Sequence, residues 1–150
     1  MPELDYAKLK QRFDELDERV ELLRRWQSIS REDFLNDPKN NRAVLRVLQE
    51  AIECCLSVAN HIVSAMAYGQ PETYADVFRL LGKNNVLEET FEVELERMVG
   101  FRNRIIHRYW EIDWDEVYQI FTERVDDFER FREDILRFIE SLEADDAETG

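Results

Sequence analysis

Eight consecutive residues, Arg102-Asn103-Arg104-Ile105-Ile106-His107-Arg108-Tyr109, hold three arginines, a histidine and a tyrosine, and no acid. The chain around them is anionic, with Lys+Arg 20 against Asp+Glu 34 and a formal net charge of -14. A cationic island in such a chain points to a phosphate. Guanidinium presents a planar fork of donors that matches phosphate oxygens. Imidazole gives or takes a proton near neutrality without help from its surroundings, and His107 is one of 2 histidines. Arginine, imidazole and phenol in one short segment make a kit for phosphodiester chemistry.

Cleavage of RNA without a metal has three requirements. A base must accept the proton of the 2′-hydroxyl, an acid must protonate the departing 5′-oxygen, and a cation must hold the extra charge at phosphorus. General acid–base catalysis contributes about 10²- to 10⁴-fold, roughly 3 to 5.5 kcal/mol. Electrostatic stabilisation contributes a similar amount. His107 suits either proton role, and Arg102 suits the phosphate. A complete acid–base pair needs a second imidazole. A homodimer that places His107 of each copy beside a two-fold axis would supply it.

These groups need a helix to present them. On a continuous helix at about 100° per residue, with Arg102 at zero, Asn103 lies near 100°, His107 near 140° and Tyr109 near -20°. All four then address one cleft if that face is open. Arg104 and Arg108 form an i,i+4 pair on the adjoining face and add positive charge for an RNA backbone. A plainer reading is that basic residues near a helix C-terminus stabilise its dipole, while Tyr109 and Trp110 simply pack. The pattern R-x4-H is short and also arises by chance.

The elements that must hold this segment are helical. Leu9, Phe13, Leu16, Val20 and Leu23 recur at steps of four and three, one apolar stripe on a helix from about Leu4 to Trp26. Ser30 with Glu32 and Asp33 marks a helix start and a short turn that Pro38 ends. A long helix from about Asn41 to Tyr68 carries Leu45, Leu48, Ile52, Cys55, Ala59 and Ile62, with Val44, Val47 and Val58 beside them. So wide an apolar arc marks either the central helix of a bundle or a subunit interface. Gly69 and Pro71 end it, and Tyr74 to Leu81 is a short helix capped by Gly82. Glu88 to about Tyr109 is helical, with Gly100 inside it at a cost of about 1 kcal/mol relative to alanine. That glycine serves a tight helix crossing or the close approach of a partner or substrate. Asp113 and Glu116 cap a last long helix with the stripe Trp114, Tyr118, Phe121, Val125, Phe128, Ile135, Ile139 and Leu142. The fold class is all-α: an antiparallel bundle of four long helices plus a short one, occupying residues 1–142 as one domain. Residues 143–150 form an acidic, unpatterned tail expected to be disordered.

Other chemistries find little support. The 4 glycines are scattered, so no phosphate-binding glycine loop exists. Neither histidine sits in an E-x-x-H or H-E-x-x-H pattern, so no metal or other cofactor is expected. Adjacent Cys54 and Cys55 diverge by about 100° on a helix and read as small core residues. His61, between Val58, Ile62 and Ala65, reads as a core or interface histidine. No apolar run reaches the roughly 20 residues that span a bilayer. The opening Met1-Pro2-Glu3-Leu4-Asp5 is neither basic nor apolar, so the expected compartment is cytoplasmic.

Arg102 to Tyr109 matches the R-x4-H-x-Y signature of HEPN-domain ribonuclease toxins of the HepT type, with Asn103 as the polar residue after the arginine. The flanking Tyr-Trp-Glu-Ile-Asp, Ala59-Asn60-His61-Ile62 and Tyr74-Ala75-Asp76-Val77-Phe78 are also similar to that family, and the likeness spans about Leu4 to Leu142. The resemblance implies an all-helical HEPN bundle, a homodimer with paired motifs lining a cleft, and metal-independent endoribonuclease activity. It implies Arg102, Asn103 and His107 as catalytic residues. It implies a minimal nucleotidyltransferase antitoxin of the MNT type as partner, which would transfer AMP from ATP to Tyr109. Two rivals stand beside this reading. One is a non-catalytic binding or substrate-presenting subunit of a nucleotidyltransferase complex. The other is a plain helical dimerisation module, in which Arg102 and His107 are buried or held in ion pairs away from a cleft.

Overall fold

The computed structural model describes residues 3–149. Met1 and Pro2, part of the opening read as lacking a leader, and Gly150, the end of the acidic tail, lie outside the described residues. The elements are α1 (Tyr6–Trp26), α2 (Arg31–Asn36), α3 (Pro38–Ala65), α4 (Tyr74–Lys83), α5 (Glu89–His107), a 3-10 turn (Tyr109–Glu111), α6 (Trp114–Glu123) and α7 (Asp126–Thr149). The four long helices are α1, α3, α5 and α7. Among the described residues every regular element is helical, and no helix is long and apolar enough to cross a membrane.

α3 is the central helix, packing against α1, α2, α4, α5, α6 and α7. Its wide apolar arc is therefore consumed by the core of one subunit, and it offers no separate argument for a dimer face. Pro38 ends α2 as expected and also opens α3 at its first position, where a missing N–H costs nothing. Asp37 caps that end by accepting from the Lys39 N–H at 3.0 Å.

Several boundaries differ from the sequence expectation. The last long helix is broken: α6 stops at Glu123 and α7 starts at Asp126. Asp126 and Asp127 favour a helix N-terminus through the dipole. Arg124, at the break, is tied to Glu94 of α5 and to Asp127. Phe121, Val125, Phe128 and Phe131 are all buried across this bend. The acidic segment expected to be disordered continues α7 through Thr149. It contains no helix breaker before Gly150, and Ala and Glu are strong helix formers. Finally, α4 runs past Gly82 to Lys83, and the chain turns instead at Asn84 and Asn85, whose φ is 62°. Gly82 serves helix packing: a Cβ there would lie 3.0 Å from Glu92 Cγ on α5.

That contact surrounds a buried acid. Glu92 is 8% exposed. Burial, reinforced by a hydrogen bond shared with Glu96, pushes its carboxyl up to about 7 from an ordinary 4.5. The fold thus favours the protonated form. The stability contributed by this group is complete below about pH 4.5 and is lost as pH rises through about 7. Glu92→Gln keeps the shape without the charge. Thermal melts should show it more stable than wild type at pH 8, with the gain shrinking away by pH 5. An equal shift at both pH values would assign the effect to something other than ionisation.

Candidate active site

Phe101 and Ile105 are buried and fix the rotation of α5. Arg102, Asn103 and Arg104 consequently lie on its half-buried flanks, while Ile106 and His107 face solvent. The motif therefore sits on a rigid element whose setting is decided by apolar packing.

Arg102 is held on several sides. Its side chain is 14% exposed, with Nη2 3.5 Å from a carboxylate oxygen of Glu53 on α3. Nη1 donates to Asn103 Oδ1 at 3.3 Å. The guanidinium carbon lies 4.7 Å from the ring centre of Tyr74, the first residue of α4. Its Nε is buried without a hydrogen-bond partner. Arg104 pairs with Glu116 of α6 and lies over the Phe101 ring. Arg108 is more open, with Nε 3.7 Å from Glu111. The segment that lacks an acid in sequence is matched in space by Glu53, Glu116 and Glu111.

His107 is the last residue of α5 and is exposed. At Arg108 the backbone leaves the helical path, with φ -140° and ψ 49°, while its N–H still donates to the Arg104 carbonyl at 2.9 Å. Tyr109 therefore stands on the 3-10 turn and not at the wheel position a continuous helix would give it. The departure follows from the chain that comes next, where Ile112 and Trp114 pack against the core. Tyr109 is 47% exposed and Trp110 79% exposed, so these rings do not simply pack.

Arg102 and His107 are both on α5 but about 7.5 Å apart along its axis and about 140° apart around it. One motif alone does not bring imidazole and guanidinium onto a single phosphorus atom from the same direction. A groove of about 560 Å³ between α5 and α6 adjoins the motif, with Arg104, Gly100, Phe101 and Ile120 in its walls. Nothing lies within 4 Å of a Cβ built at Gly100, so this glycine serves no tight crossing within the chain. It leaves the groove side of α5 open.

The remaining candidate residues have structural work. His61 is only half-buried, and its Nε2 accepts from the Asp5 N–H at 2.9 Å. It ties the start of α1 to α3, which the sequence expectation of a core or interface histidine did not anticipate. Burial lowers its pKa, as suits an acceptor imidazole. Cys54 and Cys55 are free and buried, and burial pushes the Cys54 thiol up to about 11. Among the described residues no group of three or more His, Cys, Asp or Glu is placed to hold a metal ion. Glu53 and Tyr74 were not singled out from the sequence as site residues. The signals were faint: Glu53 is the one acid within the apolar run from Ala51 to Ala59, and Tyr74 opens one of the family-like segments.

Residues 16–135 match the family described as Ribonuclease HepT-like. A relative in Shewanella oneidensis named mRNA nuclease HepT is 36% identical over 98 residues, 65% of this chain and 74% of that protein. A solved toxin–antitoxin structure with AMP-PNP has a TM-score of 0.81 and 26% identity, covering 87% of this chain and 98% of the other. A tri-AMPylated HEPN toxin of Shewanella oneidensis, solved in complex with MNT antitoxin, has a TM-score of 0.74 and 28% identity, covering 91% of this chain and 99% of the other.

Proposed function

The chain belongs to the Ribonuclease HepT-like family, and we propose that it is a metal-independent endoribonuclease toxin, silenced when an MNT-type antitoxin transfers AMP to Tyr109. The observation that carries this reading is the exposed imidazole of His107, presented by the same helix that holds the Arg102 guanidinium. The solved toxin–antitoxin relatives support the partner, and the AMP-bearing toxin supports the modification.

In this mechanism two copies associate so that both motifs face one cleft. The angular separation of Arg102 and His107 on one helix favours such a shared site. One His107 takes the proton of the 2′-hydroxyl, and the 2′-oxygen attacks the adjacent phosphorus. The bond from phosphorus to the 5′-oxygen breaks, and His107 of the second copy protonates that oxygen. Arg102 neutralises the charge gained by the phosphoryl oxygens. Asn103 orients the guanidinium through its side-chain carbonyl. Arg104 and Arg108 extend contact along the RNA backbone by exchanging their carboxylate partners for phosphates. Silencing is an exchange at another phosphorus: Tyr109 Oη attacks the α-phosphorus of ATP, pyrophosphate leaves, and the phenolic proton passes to base.

The test is incubation of purified protein with RNA in EDTA. The expected products carry 2′,3′-cyclic phosphate and 5′-hydroxyl ends. Intact RNA, or ends of another type, would defeat the mechanism. A second reading has one observation in its favour, the burial of Arg102 in an ion pair with Glu53. It fits the plain helical dimerisation module, which holds Arg102 in an ion pair and leaves RNA whole.

A further inference from the structure

From the contacts around Arg102 we infer that Tyr74 and Glu53 are positioning residues for the phosphate-binding step: Tyr74 fixes the plane of the guanidinium, and Glu53 occupies its Nη2 until a phosphate oxygen takes that place. The inference rests on the ribonuclease reading above and assigns roles to two residues outside the R-x4-H-x-Y motif.

Three elements converge on this one side chain. Arg102 comes from α5, Glu53 from α3 and Tyr74 from the first turn of α4. The ring of Tyr74 lies 4.7 Å from the guanidinium carbon. A cation over an aromatic ring is held by the ring quadrupole. Tyr74 itself is 53% exposed, so its ring is held at the surface, over Arg102. Glu53 and Asn103 take the two terminal nitrogens, at 3.5 Å and 3.3 Å, while Nε has no partner.

This arrangement fixes the plane of the fork and leaves one edge exchangeable. The Nη1 contact is a hydrogen bond to the neighbouring residue of the same helix. The Nη2 contact is a longer ion pair, and its carboxylate partner is a side chain 39% exposed against 14% for the arginine. Glu53 has a second attachment ready, because Gln49 Nε2 donates to the same carboxylate at 3.1 Å. A phosphate oxygen arriving from solvent therefore meets the edge that Glu53 guards. Glu53 can yield that edge while still bonded within its own helix. The carboxylate keeps the arginine charge compensated at rest and competes with RNA for it.

The test uses the full-length protein, a cleavable RNA for rates and a fully 2′-O-methylated RNA of the same sequence for binding. Glu53→Gln removes the competing charge and should tighten binding of the methylated RNA about three- to tenfold. Tyr74→Leu should lower kcat/KM about three- to thirtyfold, and Tyr74→Phe, which keeps the ring, should restore it. Placed in an Arg102→Ala background, Glu53→Gln should no longer alter binding, because its effect runs through the guanidinium. Circular dichroism confirms that each variant is folded. Unchanged or weaker binding by Glu53→Gln, or persistence of its effect without Arg102, would overturn the role of Glu53. Equal rates for Tyr74→Leu and wild type would overturn that of Tyr74. A wild type that binds RNA without cutting it removes the ribonuclease reading instead; binding of the methylated RNA then judges both assignments, tighter for Glu53→Gln and weaker for Tyr74→Leu if they hold, and unchanged if they fail.

Discussion

His107→Ala should lower the rate of RNA cleavage by about 10²- to 10⁴-fold while leaving the fold intact. Both halves of this expectation follow from the position of the residue. His107 is exposed and ends α5, so its removal opens no cavity and breaks no buried contact. The loss must then come from proton transfer, and it should fall on kcat more than on KM, since Arg102, Arg104 and Arg108 still attract the backbone. Cleavage of one RNA by both proteins in EDTA, with thermal melts as the folding control, makes the measurement. Growth arrest on expression should be relieved by the same substitution. Equal cleavage by variant and wild type would remove His107 from the mechanism and leave the non-catalytic reading standing.

Coexpression with the cognate nucleotidyltransferase should add AMP to Tyr109 and suppress cleavage by about two orders of magnitude. The phenol is reachable, 47% exposed, and stands two residues beyond His107 on the 3-10 turn. AMP places a phosphodiester anion beside the position the RNA phosphate must occupy. Two unit charges about 7 Å apart at an effective dielectric near 20 repel by about 2.4 kcal/mol, roughly 60-fold in binding. The nucleoside adds bulk to the same place. Intact-mass measurement followed by peptide mapping should find the AMP increment on Tyr109. Tyr109→Phe should escape silencing and continue to cleave RNA in the presence of the transferase. A modified protein that cleaves as fast as the unmodified one would break the link between this tyrosine and control.

Apolar periodicity exposed most of the fold because it reports burial directly. The five residues read as the α1 stripe, Leu9, Phe13, Leu16, Val20 and Leu23, are the five buried residues of that helix. The same logic hid the break between α6 and α7. The stripe from Phe121 to Val125 to Phe128 keeps its spacing across the bend, so nothing in the pattern marks it. Phe131, three residues after Phe128 and four before Ile135, lies on that same stripe and is fully buried. Local structure was legible wherever it was local: Arg102, Asn103 and His107 share one helix, and Asp113 caps α6 as read. Tyr109 was misplaced because the helix ends before it, under the pull of packing at Ile112 and Trp114. Glu53 and Tyr74 escaped notice because they meet Arg102 from 49 and 28 positions away in the chain, and only packing brings such residues together.

Trp110 gives this protein its own optical gauge. Its indole is 79% exposed beside the motif, whereas Trp26 and Trp114 are partly covered by the core. An indole in water emits further to the red than one shielded from it, so the long-wavelength edge of the emission belongs mainly to Trp110. A protein surface settling over the end of α5 will shift that edge toward the blue, and a stacked base will dim it, without a label having been attached.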